Sequence, residues 1–274
     1  MKKNNNYKKI LIDGHVHLYD NFDIDTFVDS ITKNFKKYTD VENHEFSAAV
    51  KMIFLTEARE NEYFSRIENN SLPFRNKDIH AEKTGEKGSI LLKQNGSSLF
   101  YIIKGRQIIT KENIEILSIG PGSKIKDGLP AAEVIEILRE RDELAILAWG
   151  VGKWFSKRGK IVKGLMKTHK FPNLLIGDNS ARPSIWLKPL IYKEGEKLGI
   201  PVISGSDPLP LPGEEKKGGS YFFTINGKFD SEKPFLSIKK ILKLEIKELK
   251  LSGKRDSLFS FLKRQSKILL KKYM

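Results

Sequence analysis

The amino-acid sequence predicts a single α/β domain, residues 1–274, built as a TIM-like β/α barrel. The chain has 274 residues, close to the roughly 250 residues that one such barrel needs. Short apolar runs alternate along it with segments of helical periodicity, a pattern typical of parallel strands joined by crossover helices. The first apolar run leads into His15-Val16-His17, and polar side chains at the carboxyl end of a barrel strand are typical of an active site.

The elements follow one another without an internal repeat or a long linker. The apolar runs predict strands at Lys9–Val16, Ala48–Leu55, Ile114–Ile119, Leu144–Ala148, Leu174–Ile176 and Val202–Ser204. Apolar residues at helical spacing, or a proline at a helix start, predict helices at Ile24–Tyr38, Glu60–Ile67, Ala131–Arg141 and Pro189–Leu198.

One stretch, around residues 86–112, departs from this alternation. It contains three consecutive strand-like runs, Ser89–Lys93, Leu99–Ile103 and Gln107–Thr110. Asn95-Gly96 separates the first two runs and Lys104-Gly105 the last two. Because Asn-Gly favours the tight turn of a β-hairpin, we expect an antiparallel β insertion within the barrel.

The composition indicates a cytoplasmic protein. The chain has no cysteine, which fits a reducing compartment, and it has no signal-like segment and no apolar run of membrane-spanning length. The net charge is +15, and residues 228–274 alone carry 14 Lys or Arg against 5 Asp or Glu, a balance of 14 − 5 = +9. Residues 255–274 form a basic amphipathic pattern that predicts a helix. Such a helix packs on the barrel, or it docks on a membrane surface or a nucleic acid.

Two histidines end the first predicted strand, in the run Ile10-Leu-Ile-Asp-Gly-His-Val-His17. Side chains two positions apart on a strand share a face, so His15 and His17 are expected to point together into the barrel mouth. Neutral imidazole is a common ligand of zinc, iron and manganese. The pair therefore predicts a metal site, and the alternative is two hydrogen-bonded histidines without a metal.

A second candidate ligand follows a late strand, in the run Pro201-Val-Ile-Ser-Gly-Ser-Asp207. At the mouth of the same barrel Asp207 would bind a metal and accept a proton from bound water as a general base. The alternative is a turn or helix-capping aspartate before Pro208.

These two runs resemble the first and last motifs of the polymerase-and-histidinol-phosphatase (PHP) family of amidohydrolase-like metal hydrolases. The resemblance spans roughly residues 10–225, with the motifs in the family's order. It implies a distorted β/α barrel, binding of up to three metal ions and hydrolysis of phosphoesters.

The middle motifs of that family are altered in this sequence. Thr56-Glu57-Ala58 stands where the family has Thr-Asp-His, so Glu57 keeps a carboxylate and the histidine is lost. Gln107 replaces a metal-bridging glutamate, Leu117 and Leu209 replace histidines, and Trp149-Gly150 replaces His-Pro. The resemblance then implies one divalent ion, zinc, manganese or iron, in a reduced site. Its ligands would be His15, His17 and Asp207, with a neutral oxygen from Gln107.

Several polar residues cluster on loops after the predicted strands, where a barrel active site forms. They are Arg106, Lys153, Arg158, Asp178, Asn179 and Arg182. Arginine and lysine bind phosphate or carboxylate, so these residues are predicted to bind an anionic substrate, with fixed cations doing part of what the lost metal ions did. The alternatives are cations that face water and, at Asp178-Asn179, a turn.

Two functions follow from these observations. The first is a mononuclear metal-dependent hydrolase of a phosphoester or another anionic substrate, in which Asp207 or Glu57 takes the proton of metal-bound water. The second is a non-catalytic barrel that binds an anionic small molecule, sugar or polymer. The sequence does not identify the substrate.

Overall fold

The computed structural model describes residues 6–41, 48–58, 61–122, 124–168, 171–244 and 249–273. Glu60 and Met274, at the ends of two predicted helices, lie outside the described residues. The strands are β1 (Tyr7–Val16), β2 (Val50–Glu57), β3 (Ile79–Lys83), β4 (Ser89–Gln94), β5 (Ser97–Ile109), β6 (Glu115–Ile119), β7 (Leu144–Ala148), β8 (Leu174–Asn179), β9 (Val202–Gly205), β10 (Tyr221–Lys228) and β11 (Lys250–Gly253).

Helices follow most of these strands. They are α1 (Ile24–Val41), α2 (Tyr63–Glu68), α3 (Ala131–Glu140), α4 (Lys157–Thr168), α5 (Leu190–Lys197), α6 (Pro234–Leu244) and α7 (Leu258–Tyr273), with a 3₁₀ turn at Glu214–Lys217. Among the described residues, none of these helices combines the length and the apolar character needed to cross a membrane.

All eleven strands belong to one mixed sheet, which curls into a nearly closed barrel. The main path is β11-β10-β1-β2-β5-β6-β7-β8-β9, and β3 and β4 extend it beside β5. The two sides of the sheet meet where β9 lies against β1 and β10. There the Asp207 N–H donates to the His15 carbonyl over 2.8 Å. This seam brings the carboxyl ends of the first and the late strands together.

Alternating side chains give the sheet two apolar faces. Inside the barrel lies a core that includes Ile12, Phe54, Ile103, Leu117 and Ile146. The intervening residues face outward and form two separate clusters with the helices. Strands that are buried on both sides, such as β2 and β7, have nearly continuous apolar sequences, as expected for a barrel covered by helices.

The hairpin prediction at Asn95-Gly96 is confirmed. Antiparallel β4 and β5 are joined by these two residues alone. Both have positive φ, 50° at Asn95 and 72° at Gly96, as a two-residue hairpin turn of type I′ requires.

The predicted break at Lys104-Gly105 is wrong. β5 continues through both residues, paired with β2 on one side and β6 on the other. Gly105 serves close packing instead of a turn, because a Cβ there would lie 2.7 Å from Ile119 Cδ1 and 3.0 Å from the Ser118 carbonyl.

The antiparallel part of the sheet also extends beyond the predicted insertion. β6 and β7 were expected to be parallel because α3 lies between them, yet β5–β6 and β6–β7 are both antiparallel. The connection after β6 explains this arrangement. It first runs back beside β5, where Gly128 N donates to Ile109 O over 2.8 Å. α3 then returns the chain to the end of the sheet where β6 finished.

Candidate metal centre

A bulge in β1 turns the two histidines into the barrel. Ile10 and Ile12 face the interior and Leu11 faces outward, so strict alternation would place His15 outside. The register with β2 shifts between Asp13 and Val16, and Val16 then joins the outer cluster with Leu11. His15 and His17 therefore share the inner face.

The Asp13 carboxylate holds this irregular segment of β1. It is fully buried and accepts hydrogen bonds from Ser206 N and Gly219 N, each over 2.8 Å. A longer hydrogen bond of 3.3 Å comes from His15 N. Burial raises the pKa of Asp13 to about 7, against the lowering effect of these donors. Asp13 thus ties β1 to the loop that carries Asp207, a role the sequence did not reveal.

Asp207 reaches the histidines because the chain turns sharply after β9. Its φ is +46°, a left-handed conformation that few residues other than glycine adopt. Gly205 permits the approach, because a Cβ there would lie 2.4 Å from both the Cβ and the backbone nitrogen of His15. The side chain of Asp207 then points at the two imidazoles.

Three donor atoms converge at this point. The two Nε2 atoms of His15 and His17 lie 2.9 Å apart, and Asp207 Oδ1 lies 3.6 Å from the first and 3.5 Å from the second. Among the described residues, these three form the one group whose donor atoms could share a metal ion. In tetrahedral zinc sites with bonds of about 2.0–2.1 Å, ligand atoms are separated by roughly 3.3 Å. The donor set and its spacing therefore fit a divalent ion.

The protonation states also suit a metal. Burial lowers the pKa of His15 to about 4, although the Asp207 charge opposes this shift. Burial likewise lowers the pKa of His17, against the opposing effects of Asp207 and of hydrogen bonding to Thr56 and Gln107. Both imidazoles are therefore neutral near pH 7, which is the form that binds metals.

Asp207 is ionised at the same pH. Burial alone would raise the pKa of its carboxyl, but the positive charges that His15 and His17 carry when protonated at low pH, followed by those of Lys153 and Arg264, hold this pKa below its usual value. One carboxylate and two neutral imidazoles face one another.

Two neighbours fix the position of Asp207. Asn179, which ends β8, donates from Nδ2 to Asp207 Oδ2 over 3.0 Å and to the Trp149 carbonyl over 2.9 Å. Arg264 of α7 donates to the Asp207 carbonyl over 3.0 Å. The same guanidinium pairs with Glu214 over 2.8 Å and Asp256 over 2.9 Å, so the C-terminal helix is anchored beside the site.

Gln107 and Lys153 also lie at this mouth. Gln107 follows inward-facing Ile103 by four positions on β5, so it shares the inner face, and its side chain acts on the pKa of His17. Lys153 pairs closely with Glu115, and its charge acts on the pKa of His15, His17 and Asp207. Sequence reasoning missed Glu115. The sequence pattern could have revealed it, because Glu115 lies two and four positions before Leu117 and Ile119, which face the interior, and so shares their face.

Glu57 and Arg106 lie on the other face of the sheet. They are partners in the β2–β5 ladder. Glu57 lies two positions after Leu55 and Arg106 two positions before Ile108, so both share the outward face of these apolar residues. Glu57 accepts a hydrogen bond from the Phe64 N–H of α2 over 2.8 Å, and burial raises its pKa. With Lys104 and Lys124, both residues line a cavity of about 70 Å³ outside the barrel.

The remaining predicted substrate ligands are occupied elsewhere. Arg182 makes a buried bidentate pair with Asp178, with bonds of 2.9 and 2.6 Å. Tyr192 and Tyr221 donate to the same carboxylate. Arg158 is half-buried and donates to the Gly152 carbonyl over 3.3 Å. The structure therefore brings together His15, His17, Asp207, Asn179, Gln107 and Lys153, and it places Glu57, Arg106, Arg158, Asp178 and Arg182 outside that group.

Comparison with known proteins supports the fold alone. No family model matches the sequence, and no curated protein sequence does. Several solved structures are similar, and two of them are described here. PsfC from Pseudomonas syringae PB-5123 has a TM-score of 0.53 and 12% identity, over 98% of this chain and 99% of that chain. The lesion-specific endonuclease PfuEndoQ from Pyrococcus furiosus has a TM-score of 0.54 and 15% identity, over 89% of this chain and 57% of that chain.

The chain therefore matches PsfC over its whole length but spans little more than half of the endonuclease. The likeness shows that this chain has a barrel-like α/β fold of the same general kind.

Proposed function

We propose that this chain is a PHP-type, metal-dependent hydrolase, a single catalytic domain that acts on a phosphoester or another anionic substrate. The observation that carries the proposal is the convergence of His15, His17 and Asp207 at the mouth of the barrel, with donor atoms 2.9–3.6 Å apart. One of the similar proteins described above is an endonuclease, a class of enzyme that cleaves phosphodiester bonds, which supports this choice of reaction.

The proposed site holds one divalent ion, zinc, manganese or iron. Such an ion acidifies bound water and polarises the oxygen of a substrate. His15, His17 and Asp207 would hold it, and Gln107, on the inner face of β5, would offer a neutral oxygen beside it. With three protein ligands, the site resembles catalytic centres that keep a position open for water or substrate.

Asp207 is the proton acceptor that the geometry supports. Its Oδ1 faces the two histidines, and its Oδ2 is held by Asn179, so the carboxylate is both charged and oriented. Glu57 has the right chemistry but lies across the sheet, where it binds the start of α2. We therefore assign the role of base to Asp207 rather than Glu57.

Lys153 is the cation that we assign to the substrate. Its side chain is about 41% exposed, and its charge reaches all three candidate ligands. An anionic group bound at the mouth would compete with Glu115 for this ammonium. Arg106, Arg158 and Arg182 would need a larger substrate or a rearranged loop to reach the same point.

A non-catalytic barrel that binds an anionic small molecule, sugar or polymer is the alternative. The specific observation that favours it is the small ligand set, because only three metal-binding side chains converge in the described part of the chain. The motif changes at Glu57, Gln107, Leu117 and Leu209 agree with a site that has lost its other ligands.

Hydrolysis of bis(p-nitrophenyl) phosphate and p-nitrophenyl phosphate, with added Mn²⁺ or Zn²⁺ and after chelation, tests the proposal. We expect metal-dependent turnover that His17→Ala lowers by more than about 100-fold, beyond what the loss of a supporting partner costs. His80→Ala is the matched control, because His80 is a half-exposed residue of β3 away from the site. Turnover that is insensitive to chelation or to His17→Ala contradicts the proposal, and substrate binding without turnover supports the non-catalytic alternative.

A further inference from the structure

The C-terminal helix α7 has an apolar face that the barrel does not cover. Its inner side packs through Phe261 and Arg264, which are 9% and 5% exposed. A second set of large apolar side chains points away from the protein, with exposed fractions of 44–76%. This set comprises Leu258, Phe259, Leu262, Leu269 and Leu270. At 100° per residue these five fall within one sector of the helix, opposite Arg264.

A neighbouring loop extends this apolar surface. Ile185, Leu187 and Leu190 are 65%, 90% and 73% exposed. Trp186 lies beside them and contacts the Phe261 ring, with centroids 5.7 Å apart. We call the exposed apolar residues of 185–190, together with the five residues of the α7 sector, the apolar patch. The patch contains nine of the 14 large apolar side chains that are exposed among the described residues, so exposed apolar side chains are concentrated on this surface.

The two halves of the apolar patch are held together by polar contacts beneath it. Arg255 donates to the carbonyls of Pro183, Ser184 and Trp186 at 2.9–3.3 Å. Ser184 N donates to the Asp256 carbonyl over 2.8 Å. The loop and the start of α7 therefore form one fixed surface.

The surroundings of the apolar patch are basic. Residues 250–270 contain six Lys or Arg and one acidic residue, Asp256, which is buried against Arg264 and Lys217. Lys263 and Lys267 lie on α7 in the sector next to the exposed leucines. No acidic side chain of this segment offsets their charge at the surface.

We propose that the apolar patch docks the protein on an anionic lipid membrane. Large aliphatic and aromatic side chains on one helical sector, with lysines beside them, are the features by which amphipathic helices lie in a bilayer interface. The exposed edge of Trp186 suits the headgroup region. The lysines contribute attraction to anionic lipids.

The charge pattern argues against the other occupants of this surface. In a two-fold dimer through the apolar patch, the lysine-rich margins of both copies would face each other, and like charges would oppose association. A nucleic acid would satisfy the lysines but leave the leucine sector without an apolar partner. The proposal does not depend on the metal centre, which lies on the inner side of α7.

Vesicle sedimentation with the full chain tests the proposal, using phosphatidylcholine alone and an equal mixture of phosphatidylcholine and phosphatidylglycerol. We expect binding to the mixed vesicles that raised salt weakens. Trp186 provides a second readout, because Trp149 and Trp154 are 7% and 8% exposed and Trp186 is 37% exposed. Its emission should shift to the blue on binding and be quenched by brominated lipid.

Matched substitutions identify the surface. Phe259→Ser and Leu258→Ser should each lower the affinity for mixed vesicles, by about tenfold for the phenylalanine. Phe155→Ser and Leu236→Ser, at 69% and 44% exposure outside the patch, should leave it unchanged. The proposal is overturned if neither vesicle binds, if the controls weaken binding equally, or if sedimentation equilibrium reveals a dimer that Phe259→Ser dissociates without vesicle binding. Retention on duplex DNA with no vesicle binding would overturn it as well.

Discussion

At the scale of single residues, the candidate site depends on burial. Burial keeps His15 and His17 neutral near pH 7, and the charges of Lys153 and Arg264 favour the ionised form of Asp207. A buried carboxylate without partners would be costly, yet Asp207 accepts from Asn179 and faces two imidazoles. A divalent ion would complete this charge balance.

Asn179 is the residue whose removal best separates positioning from ligation. Asn179→Ala should lower the affinity for Mn²⁺ or Zn²⁺ by about 10–100-fold, the usual cost of losing a group that orients a ligand. The reason is that Asp207 Oδ2 would lose its 3.0 Å hydrogen bond while all three ligands persist. Isothermal titration measures the effect, and an unchanged metal affinity in a folded variant would show that Asn179 does not orient Asp207.

The burial of Lys51 should make the stability of the fold depend on pH, independently of the candidate metal centre. Burial in β2 lowers its pKa from 10.5 to about 8, so between these values the unfolded chain binds more protons than the folded one. The contribution of Lys51 to the free energy of unfolding therefore rises with pH between about 8 and 10.5. The cost of burying the charged ammonium is largest below the folded-state pKa.

Substitution of Lys51 isolates this contribution from other groups. Lys51→Met should raise the stability most near pH 7, and the gain over the wild type should shrink as the pH approaches 10. Urea unfolding of both proteins at several pH values measures the difference. A gain that is constant with pH would contradict the lowered pKa of Lys51.

At the scale of elements, the carboxyl ends of β1 and β9 position the residues of the candidate metal centre. The bulge in β1 selects the face of His15 and His17, and the glycine at the end of β9 lets Asp207 approach them. α7 then secures the Asp207 loop through Arg264, which joins Glu214 and Asp256. The β1 bulge, the β9 glycine and Arg264 of α7 come from distant parts of the chain.

Gly205→Ala tests the contact between these strands. The added methyl would lie 2.4 Å from His15, so we expect a loss of about 1–3 kcal/mol in unfolding free energy from overpacking, together with weakened metal binding. Gly164→Ala in α4 is the control, because nothing lies within 4 Å of its added methyl. It should raise helix stability by about 1 kcal/mol. Equal stability of Gly205→Ala and the wild type would contradict the proposed close approach.

At the scale of the whole molecule, the sequence predicted the barrel and the convergence of His15, His17 and Asp207 better than the positions of the substrate-binding residues. Continuous apolar runs located β1, β2 and the strands from β6 to β9, since strands covered on both faces carry that pattern. The Asn-Gly hairpin was predicted because both residues tolerate positive φ.

The errors have physical causes that a single sequence does not display. Gly105 is compatible with a turn or with close packing, and only the neighbouring β6 decides between them. β3, β10, β11, α4 and α6 were not predicted. Glu57 lies at the end of β2, and Arg106 and Gln107 lie near the end of β5. The period of two places Glu57 and Arg106 on the face of the sheet opposite Gln107.

The central claim is that His15, His17 and Asp207 together hold one divalent ion. Isothermal titration of the chelator-treated protein with Mn²⁺ and Zn²⁺ tests it most directly, with His17→Ala, Asp207→Asn and the control His80→Ala measured in parallel. We predict one ion per chain for the wild type and His80→Ala, and loss of that site in both ligand variants. No binding by the wild type, or an unchanged stoichiometry and affinity in His17→Ala and Asp207→Asn, would contradict the claim.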